Sequence, residues 1–281
     1  MKVLASGKTK EIVEIPDTST MIRLVAKDDI TAFNGERHDV AAGKGIFSTR
    51  TTCNVFRWLR KRGMGRVLAF VDAGAEPNEF IAEKCTMLPY EVVVRSEAHG
   101  SWLKRYPEDT KARVFPNLVA EIFLKTKDRK WKEHNLICDD PLMKVIHDGS
   151  IELYNPAAPL LTQKPFLTLR PEEVFTQQHE PKLLSEMIRI ALRVFAILKE
   201  AWDRLGYNMV DFKVEFGINT SGELRLADVI DNDSWRILLD GRYQDKQGYR
   251  DGDEVEPVMQ RYKIIAEVSD LLCASQEAVA A

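Results

Sequence analysis

The sequence predicts an α+β protein with two lobes: a small lobe of antiparallel β-strands at residues 1–90 and a larger α+β lobe at residues 91–281. Three observations lead to this prediction. Strand patterns dominate the first third of the chain, strands mixed with long amphipathic helices fill the rest, and no repeat or linker-like composition interrupts it. Because ligand sites favour domain interfaces, we expect a ligand to bind between the two lobes.

The N-terminal third begins with strand patterns. The stretches "KVLAS" and "KEIVEI" flank the turn "GKTK", and "MIRLVAKDD" follows after a loop of proline and small polar residues. The next stretch, "KGIFSTRTTCNVFRWLRKRG", has apolar residues at helical spacing, at Phe47, Val55, Phe56 and Leu59, and ends in basic residues and glycine. It predicts an amphipathic helix.

The larger lobe mixes both kinds of element. Short apolar runs predict buried strands at "RVLAFVD", "YEVVVR" and "VAEIFLK", and a hairpin is predicted from "MVDFKVEFG" and "GELRLADVI" around the turn "INTSG". A final helix is predicted from about Glu256 to Cys273. A long amphipathic helix is predicted after "HEPK", and its apolar face consists of Leu184, Met187, Ile188, Ala191, Leu192, Phe195, Leu198 and Trp202.

Bulk properties exclude several classes of protein. A formal net charge of −3 gives no electrostatic reason to expect binding to nucleic acid or to a membrane. The four cysteines form no CxxC pair, which argues against a zinc site or a disulfide framework and fits a reducing cytosol. The N-terminus has no signal-peptide pattern, and the longest apolar region carries three basic residues. We therefore expect a cytoplasmic protein.

The stretch "LADVIDNDSWRILLD" brings Asp228, Asp231 and Asp233 close together between apolar residues. Alternation along the predicted strand places Asp228 on the same face as Leu224 and Leu226. A carboxylate in such a row costs several kcal/mol unless it is paired or metal-bound. Mg²⁺ takes one or two carboxylates together with phosphate oxygens, so the pattern suggests magnesium and phosphate. A stabilising acidic turn is the alternative interpretation.

Two other stretches suggest anion binding. "GKTK" (7–10) is not a Walker A loop, since it lacks the spaced glycines and the following helix, but a glycine hairpin with two lysines is typical of flaps over nucleotide triphosphates. It could also be an ordinary surface turn. In "VVVRSEAHGSW", Arg95 and the Gly100–Ser101 turn offer donors that suit a phosphate or carboxylate, or they form only an edge arginine and a tight turn.

The predicted hairpin separates apolar from charged side chains. Alternation puts Phe212, Val214 and Phe216 on one face and Asp211, Lys213 and Glu215 on the other. The charged face is either a solvated surface or part of a site.

Together these segments resemble one family, the SAICAR synthetases, which are the phosphoribosylaminoimidazole-succinocarboxamide synthases of purine biosynthesis. The stretches that carry the resemblance follow the family's order from Gly7 to Arg250, and "LADVIDNDSWR" with "DKQGYR" resembles most the type found in the animal bifunctional enzyme. They are "GKTKEI", "KDDITAFNG", "GKG", "VVVRSEAHGS", "EIFLK", "DFKVEFG", "LADVIDNDSWR" and "DKQGYR".

The resemblance implies a two-lobed fold of the ATP-grasp or kinase-like kind and a carbon–nitrogen ligase. Such an enzyme joins CAIR to L-aspartate with ATP, through an acyl phosphate, and gives SAICAR, ADP and phosphate. It implies ATP and Mg²⁺ as cofactors, small-molecule substrates as the partners, no nucleic acid or membrane, and a homo-oligomer that is at least a dimer.

The resemblance also implies site residues. The flap would close over the triphosphate, "MLPYE" (87–91) would lie along the adenine, and lysines and a metal ion would carry most of the rate enhancement. The implied ATP-binding residues are Gly7, Lys8, Thr9, Lys10, Met87, Leu88, Lys125, Lys213, Glu215 and Asp228. The implied substrate-binding residues are Arg95, Gly100, Ser101, Asp211, Asp233 and Arg236. Catalytic roles fall to Lys125, Lys213 and Asp228, and Glu215 and Asp228 would bind the metal.

Two departures from the family pattern leave questions open. The family usually has an acidic pair directly after the "FLK" lysine, whereas this chain has "LKTKDRKWKEHNLICDDP". Either an insertion displaces the pair to Asp139 and Asp140, or its role is lost. His99 stands where a small hydroxyl residue is common, and it either adds a phosphate contact or fills space.

Two other functions remain as alternatives. A phosphotransferase acting on a hydroxyl would need a general base, and no His-Arg-Asp loop is present in the sequence. A nucleotide-binding regulatory module without turnover would not need all the charged residues of "GKTK" and "DFKVEF" together with Asp228.

Overall fold

The computed structural model describes residues 2–32, 35–175 and 180–274 of the chain. Phe33 and Asn34, within the "KDDITAFNG" motif, lie outside the described residues. The chain forms two compact units, neither of which is continuous in sequence. The first unit comprises residues 1–87, 196–209 and 217–281, and the second comprises 88–195 and 210–216. The predicted division into a lobe at residues 1–90 and a lobe at residues 91–281 stays a prediction.

The first unit contains a five-stranded antiparallel sheet in the order β1-β2-β3-β7-β6. Its strands are β1 (Val3–Ser6), β2 (Lys10–Glu14), β3 (Met21–Ala26), β6 (Phe70–Ala73) and β7 (Glu79–Glu83). β4 (Asp29–Ala32) and β5 (Arg37–Val40) form a separate antiparallel pair. The predicted strands at "KVLAS", "KEIVEI" and "MIRLVAKDD" are confirmed as β1, β2 and β3.

Two long helices of the first unit pack against each other: α1 (Lys44–Leu59) and α6 (Val255–Ala274). The helix predicted at residues 44–63 is confirmed, and it continues as a wider turn at Arg60–Met64. Gly63 there has a φ of +82°, which glycine adopts without steric cost. Apolar side chains of α6 and of the β4–β5 pair form one core cluster, which includes Ile30, Val258, Met259 and Tyr262.

The second unit is built on a sheet in which the strands follow in the order β14-β13-β12-β9-β8-β15. Their bounds are β8 (Cys85–Glu97), β9 (Val114–Leu124), β12 (Leu142–Val145), β13 (Ile151–Tyr154), β14 (Leu167–Leu169) and β15 (Asn208–Asn219). The short hairpin of β10 (Lys130–Trp131) and β11 (His134–Asn135) also belongs to this unit, as do helices α2 (Ser101–Arg105) and α3 (Pro171–Val174).

The long predicted helix is confirmed as α4 (Glu180–Arg204). Most of its predicted apolar face is buried, and Ile188 and Leu192 are half-buried. Within the second unit Phe195 packs edge-on against Phe212 of β15, with ring centroids 5.3 Å apart. Within the first unit Trp202 packs against Trp235 at 5.4 Å. Among the described residues, no helix is both long and apolar enough to cross a membrane.

The predicted hairpin of β15 and β16 (Leu224–Ala227) is confirmed. The side chain of Asn219 closes its turn by accepting hydrogen bonds from the backbone N–H groups of Ser221 and Glu223, at 3.0 and 2.9 Å. The remaining elements of the first unit are β17 (Trp235–Leu239), β18 (Arg242–Tyr243) and α5 (Gln247–Arg250). The sequence patterns did not predict these, because each is too short to show a period.

Candidate functional site

The predicted flap in the first unit is the hairpin of β1 and β2. Its turn is closed by a hydrogen bond from the backbone N–H of Gly7 to the carbonyl of Lys10, at 2.8 Å, and Lys27 donates to the carbonyls of Gly7 and Thr9. Gly7 and Lys8 are exposed, whereas Thr9 and Lys10 are half-buried. The ammonium group of Lys10 forms an ion pair with the carboxylate of Asp228, 218 residues further along the chain.

Asp228 lies just beyond the end of β16. Its φ of +67° turns the backbone out of the strand, so its side chain does not continue the row of Leu224 and Leu226 as the alternation predicted. The carboxylate is only partly exposed, and the ion pair with Lys10 compensates its charge. Two residues predicted to act on the same triphosphate are therefore in contact.

Asp233 is the centre of a second group of charges in the first unit, which we call the Asp233 cluster: Lys44, Asp233, Lys246 and Tyr262. The Asp233 carboxylate accepts hydrogen bonds from Lys44 Nζ at 2.9 Å and from the Tyr262 hydroxyl at 2.6 Å, and Lys246 Nζ lies 3.4 Å away. Although burial opposes ionisation, Lys44 and Lys246 hold the pKa of Asp233 below its usual range. Three donors of the protein itself thus fix this carboxylate.

Asp231 caps the same turn. Its carboxylate accepts a hydrogen bond from the backbone N–H of Asp233 at 2.9 Å, and Ser234 donates its hydroxyl to the backbone carbonyl of Asp231. Burial, and then the charge of Asp233, raise the pKa of Asp231. Asp231, which had no predicted role, therefore has a structural one.

Arg236 lies in β17 near a second arginine, Arg250. Arg236 Nε donates to the side-chain oxygen of Gln247 at 3.1 Å, and Arg250 Nη1 donates to the same oxygen at 3.4 Å. Asp245 fixes Gln247 by accepting from its backbone N–H at 2.7 Å, and burial raises the pKa of Asp245 to about 7. Two guanidinium groups that converge in this way suit a phosphate.

In the second unit Arg95 is buried and fully surrounded by acceptors. Its Nε donates to Glu121 at 2.8 Å, one Nη donates to Asp211 at 2.6 Å, and the other donates to the Ser101 hydroxyl at 3.1 Å. Arg105 binds the other side of Glu121. Arg95, Ser101 and Asp211, all predicted to bind substrate, are therefore in direct contact, but Arg95 directs its donors at the protein.

The turn after Arg95 depends on glycine. Gly100 has φ +56° and ψ −127°, a conformation that residues with a side chain rarely adopt. His99 beside it is buried, and its ring nitrogen Nε2 lies 3.2 Å from the carboxylate of Glu97. His99 is therefore buried and has a polar partner within the protein.

The charged face of β15 forms a third group of charges, which we call the Glu215 cluster: Glu91, Lys125, Lys213 and Glu215. The Glu215 carboxylate accepts from Lys125 Nζ at 2.6 Å and from Lys213 Nζ at 2.9 Å, and Lys213 also lies 3.3 Å from Glu91. Phe212, Val214 and Phe216 are buried as expected, but Asp211 and Glu215 are buried as well and only Lys213 is half-buried, so the charged face is not a solvated surface.

Met87 and Leu88, predicted to lie along the adenine, are the residues at which the first unit ends and the second begins. Met87 is exposed and Leu88 is buried. Gly217 approaches this strand so closely that a Cβ would come within 2.8 Å of Cys85 and 3.2 Å of the Met87 sulfur, which explains glycine at this position.

The two residues predicted to bind metal belong to different units, Glu215 to the second and Asp228 to the first. In the described parts of the chain, no group of three or more His, Cys, Asp or Glu side chains is arranged to hold a metal ion. Mg²⁺ needs only one or two carboxylates when phosphate oxygens complete its shell, so both residues have the chemistry required. The metal site stays a prediction.

Comparison with known families shows the family to which the chain belongs. The family model described as SAICAR synthetase matches residues 3–169 and 167–263. The chain belongs to the SAICAR synthetase family. The resemblance inferred from eight short motifs is thereby confirmed, together with the expectation of an enzyme of this kind.

Curated relatives within the SAICAR synthetases align over nearly the whole chain. The phosphoribosylaminoimidazole-succinocarboxamide synthase of Chloroflexus aggregans is 37% identical over 276 residues, which cover 95% of each chain. The bifunctional purine synthesis protein purC/E of Dictyostelium discoideum is 40% identical over 250 residues, which cover 88% of this chain and 22% of that protein. A bifunctional enzyme is therefore among the relatives, as the resemblance in "LADVIDNDSWR" and "DKQGYR" suggested.

Solved SAICAR synthetases share the fold. A type-2 SAICAR synthetase in complex with ADP superimposes with a TM-score of 0.73 at 28% identity, covering 95% of this chain and 97% of that one. A SAICAR synthetase from Pyrococcus horikoshii OT3 gives a TM-score of 0.70 at 28% identity and covers 93% and 97% of the two chains. The predicted α+β fold of this family is confirmed.

Sequence reasoning within this SAICAR synthetase missed the partners of the predicted residues. Lys44, Lys246 and Tyr262 around Asp233, Glu121 and Arg105 beside Arg95, and Gln247 and Arg250 beside Arg236 received no role. Five of them had a signal because they lie in the family's motifs: Lys44 in "GKG", Glu121 in "EIFLK", and Lys246, Gln247 and Arg250 in "DKQGYR". Arg105 and Tyr262 lie outside these motifs.

Proposed function

We propose that this SAICAR synthetase joins the imidazole carboxylate of CAIR to the amino group of L-aspartate at the expense of ATP. The observation that carries the proposal is the pairing of lysines with carboxylates at the residues predicted for the triphosphate: Lys125 and Lys213 on Glu215, and Lys10 on Asp228. The relative in complex with ADP supports nucleotide binding in this family.

The proposed chemistry has two steps. A carboxylate oxygen of CAIR attacks the γ-phosphorus, the bond to the β-phosphate oxygen breaks, and ADP leaves. The amine of aspartate then attacks the acyl carbon, loses a proton and displaces phosphate, which gives the amide of SAICAR. Charge accumulates on the transferred phosphoryl group, so fixed cationic groups contribute most when they contact it.

The nucleotide would be held by the lysines of the flap and by those of the Glu215 cluster. Lys10, with Gly7, Lys8 and Thr9 of the flap, would cover the phosphates and exchange part of its contact with Asp228 for phosphate oxygens. Lys125 and Lys213 would neutralise the γ-phosphate. Met87 and Leu88 would line the adenine.

Magnesium would be held by Glu215 and Asp228 together with phosphate oxygens. A bound Mg²⁺ supplies positive charge to the triphosphate. The two carboxylates suit it because they are hard oxygen donors.

The substrate CAIR would be held by a smaller set of residues. Arg236, next to Arg250, would contact its phosphate, and Ser101 with the backbone at Gly100 would offer further donors. Arg95 and Asp211 would hold Ser101 in place, since Arg95 donates to it at 3.1 Å. Asp233 would orient the aminoimidazole by its carboxylate, which the Asp233 cluster keeps fixed.

One assay tests the proposal against its alternatives. The purified chain is incubated with ATP, CAIR and aspartate at saturating Mg²⁺, and ADP and SAICAR are measured together, with reactions lacking aspartate as the control. Equal amounts of ADP and SAICAR that depend on aspartate are expected. ADP formation without an aspartate-dependent product would indicate a phosphotransferase, and nucleotide binding without turnover would indicate a regulatory module.

We also propose that the enzyme is a homo-oligomer, at least a dimer, with a nucleotide lobe at residues 1–90 and a substrate lobe at residues 91–281. Gel filtration with light scattering is expected to give a mass of at least twice 32.1 kDa. A monomer over the working concentration range would rule the dimer out.

A further inference from the structure

The segment after Lys125 folds back to the residue next to that lysine. Residues 127–138 contain the β10–β11 hairpin, and the chain returns with Asp139, Asp140 and Pro141. The positions directly after Lys125 are Thr126 and Lys127, so no carboxylate follows the lysine in sequence. The fold brings two carboxylates to that place instead.

Thr126 is bound from both sides by the returning aspartates. Its backbone N–H donates to Asp140 Oδ1 at 2.8 Å, and its hydroxyl oxygen accepts from the backbone N–H of Asp140 at 2.9 Å. The hydroxyl in turn donates to Asp139 Oδ1 at 3.2 Å. This reciprocal pairing resembles the way a capping box closes a helix end, but here it joins two chain segments 14 residues apart.

The backbone around Lys125 is held by this return of the chain and by β8. The N–H of Leu124 donates to the carbonyl of Pro141 at 3.0 Å, and the N–H of Lys125 donates to the carbonyl of Pro89 at 2.9 Å. With the bond from Thr126 to Asp140, three consecutive N–H groups have fixed partners. The side chain of Lys125 can therefore reach Glu215 from a defined starting point.

The far end of the hairpin is anchored as well. Trp131 donates its indole N–H to the carbonyl of Glu173 at 3.1 Å, and Lys132 donates to the carbonyl of Val174 at 3.4 Å. Both acceptors belong to α3. The hairpin is thus a packed element of the second unit.

Backbone strain is concentrated in this segment. In the part of the chain that the structure describes, eight residues other than glycine have positive φ, and four of them are Asp128, Arg129, Lys132 and Asp140. Asp140 has a φ of +46° although a proline follows it, and proline disfavours such a conformation in the residue before it. Strain of this kind persists where surrounding contacts enforce it and is typical of functional sites.

Asp140 also lies near other carboxylates, those of Glu91 and Asp139. Burial, which is the largest influence, and the nearby Glu91 raise the pKa of Asp140, while Lys125 and the Thr126 N–H oppose the shift. Asp140 therefore lies within electrostatic range of both Glu91 and Lys125 of the Glu215 cluster. An aspartate that served only to close a surface turn would lie more favourably in solvent.

We propose that Asp140 is a positioning residue for Lys125. By binding Thr126 it fixes the backbone of Lys125 and keeps the lysine ammonium at Glu215, where the γ-phosphate is received. This inference rests on the proposed function, which assigns Lys125 to the triphosphate. It also decides the question left open by the sequence in favour of displacement: the acidic pair has moved to Asp139 and Asp140, and the fold returns it to the lysine.

Three variants separate the hydrogen bond from charge and from strain. Asp140→Gly removes the carboxylate but tolerates the positive φ, so it tests the side chain without a conformational penalty. Asp140→Asn keeps an oxygen that can accept from the Thr126 N–H and removes only the charge. Asp148→Asn is the matched control, because Asp148 also accepts from a nearby backbone N–H, that of Ser150 at 2.9 Å, in a turn of the same unit.

We expect Asp140→Gly to lower kcat/KM for ATP about tenfold, the scale of a small displacement of a catalytic group. The KM for CAIR should stay unchanged, Asp140→Asn should retain most of the activity, and Asp148→Asn should match the wild type. Hydrogen exchange at the Thr126 amide should become faster in Asp140→Gly only. Wild-type kinetics in Asp140→Gly would overturn the inference, as would an equally large loss in Asp140→Asn.

A double-mutant cycle tests whether the effect passes through Lys125. In a Lys125→Met background, Asp140→Gly should cause little further loss, since residues that act together are not additive. Losses that multiply would overturn the inference. If Asp140→Gly does not fold, Thr126→Val takes its place, because it removes the hydroxyl that binds both aspartates. We expect a smaller loss of kcat/KM for ATP in this variant. Wild-type kinetics in Thr126→Val would overturn the inference.

Failure of the proposed function would look different. In that case the wild-type enzyme would form no aspartate-dependent SAICAR. The inference would then be judged on ATP affinity, measured by calorimetry, which should be lower in Asp140→Gly than in the wild type and in Asp148→Asn. Equal affinities in all three proteins would overturn it.

Discussion

The Asp233 cluster and the Glu215 cluster use the same chemistry in opposite settings. Each joins two lysines to a carboxylate, but Lys44 and Lys246 are 2% and 9% exposed, whereas Lys125 and Lys213 are 39% and 35% exposed. Buried lysines without solvent must keep their carboxylate, because an unpaired buried charge is costly. Lysines that reach solvent can exchange a carboxylate for a phosphate more readily, and here the difference lies in the lysines alone, because the Glu215 carboxylate is 8% exposed and that of Asp233 is 16% exposed. The comparison therefore separates a group that fixes geometry from a group that can take part in chemistry.

The largest expected effect is on stability. Asp233→Asn keeps the shape of the side chain but leaves Lys44 and Lys246 without their counter-charge, so we expect the free energy of unfolding to fall by about 3–5 kcal/mol. Lys213→Met in the Glu215 cluster is the contrasting variant, and its free energy of unfolding should fall by less than that of Asp233→Asn, because Lys125 still pairs with the buried carboxylate of Glu215. Urea titrations measure both. Equal losses of unfolding free energy in the two variants would contradict the distinction between the two clusters.

The next effect is on catalysis at Asp228, whose ion pair with Lys10 is partly exposed like those of the Glu215 cluster. Asp228→Asn should lower kcat by roughly 10²–10³-fold, the scale of losing one preorganised electrostatic group. High Mg²⁺ or Mn²⁺ should restore part of the activity. Steady-state kinetics across a metal titration measure this, with circular dichroism as the control for folding. Unchanged metal dependence would remove Asp228 from the metal site.

A smaller effect is expected at Arg236, whose Nε donates to the side-chain oxygen of Gln247 at 3.1 Å. Arg236→Ala should raise the KM for CAIR about 10- to 100-fold and leave kcat nearly unchanged, since a charge-assisted contact contributes about 1.5–3 kcal/mol. Kinetics with each substrate varied in turn decide the matter. A raised KM for ATP in place of that for CAIR would contradict the assignment.

The last expected effect concerns pH. Asp245 has its pKa raised to about 7 by burial, so the folded protein binds a proton between about pH 4 and pH 7 that the unfolded chain has released. The folded state binds more protons in this window, and stability attributable to Asp245 therefore falls as the pH rises through it. Asp245→Asn should flatten this slope in urea titrations between pH 4 and 7. An unchanged slope would show that Asp245 does not titrate there.

The sequence predicted the principal strands and helices because their periodicity is local. Alternation in "DFKVEF" separated the buried phenylalanines from Lys213 and Glu215, and helical spacing identified α4. Short elements such as β17 and α5 escaped prediction because a few residues carry no measurable period. Alternation failed at Asp228, where a positive φ ends the strand.

The identities of the charged residues, and the family to which they belong, were determined by the sequence alone. Which charge meets which was decided only by the tertiary structure. Lys10 meets Asp228 across 218 residues, Lys44 meets Asp233 across 189, and the carboxylate at Thr126 comes from a residue 14 positions away. A motif specifies chemical groups, whereas pairing depends on where distant segments pack and how much solvent they exclude. For that reason Asp233 is fixed inside the first unit while Glu215 keeps two exchangeable lysines.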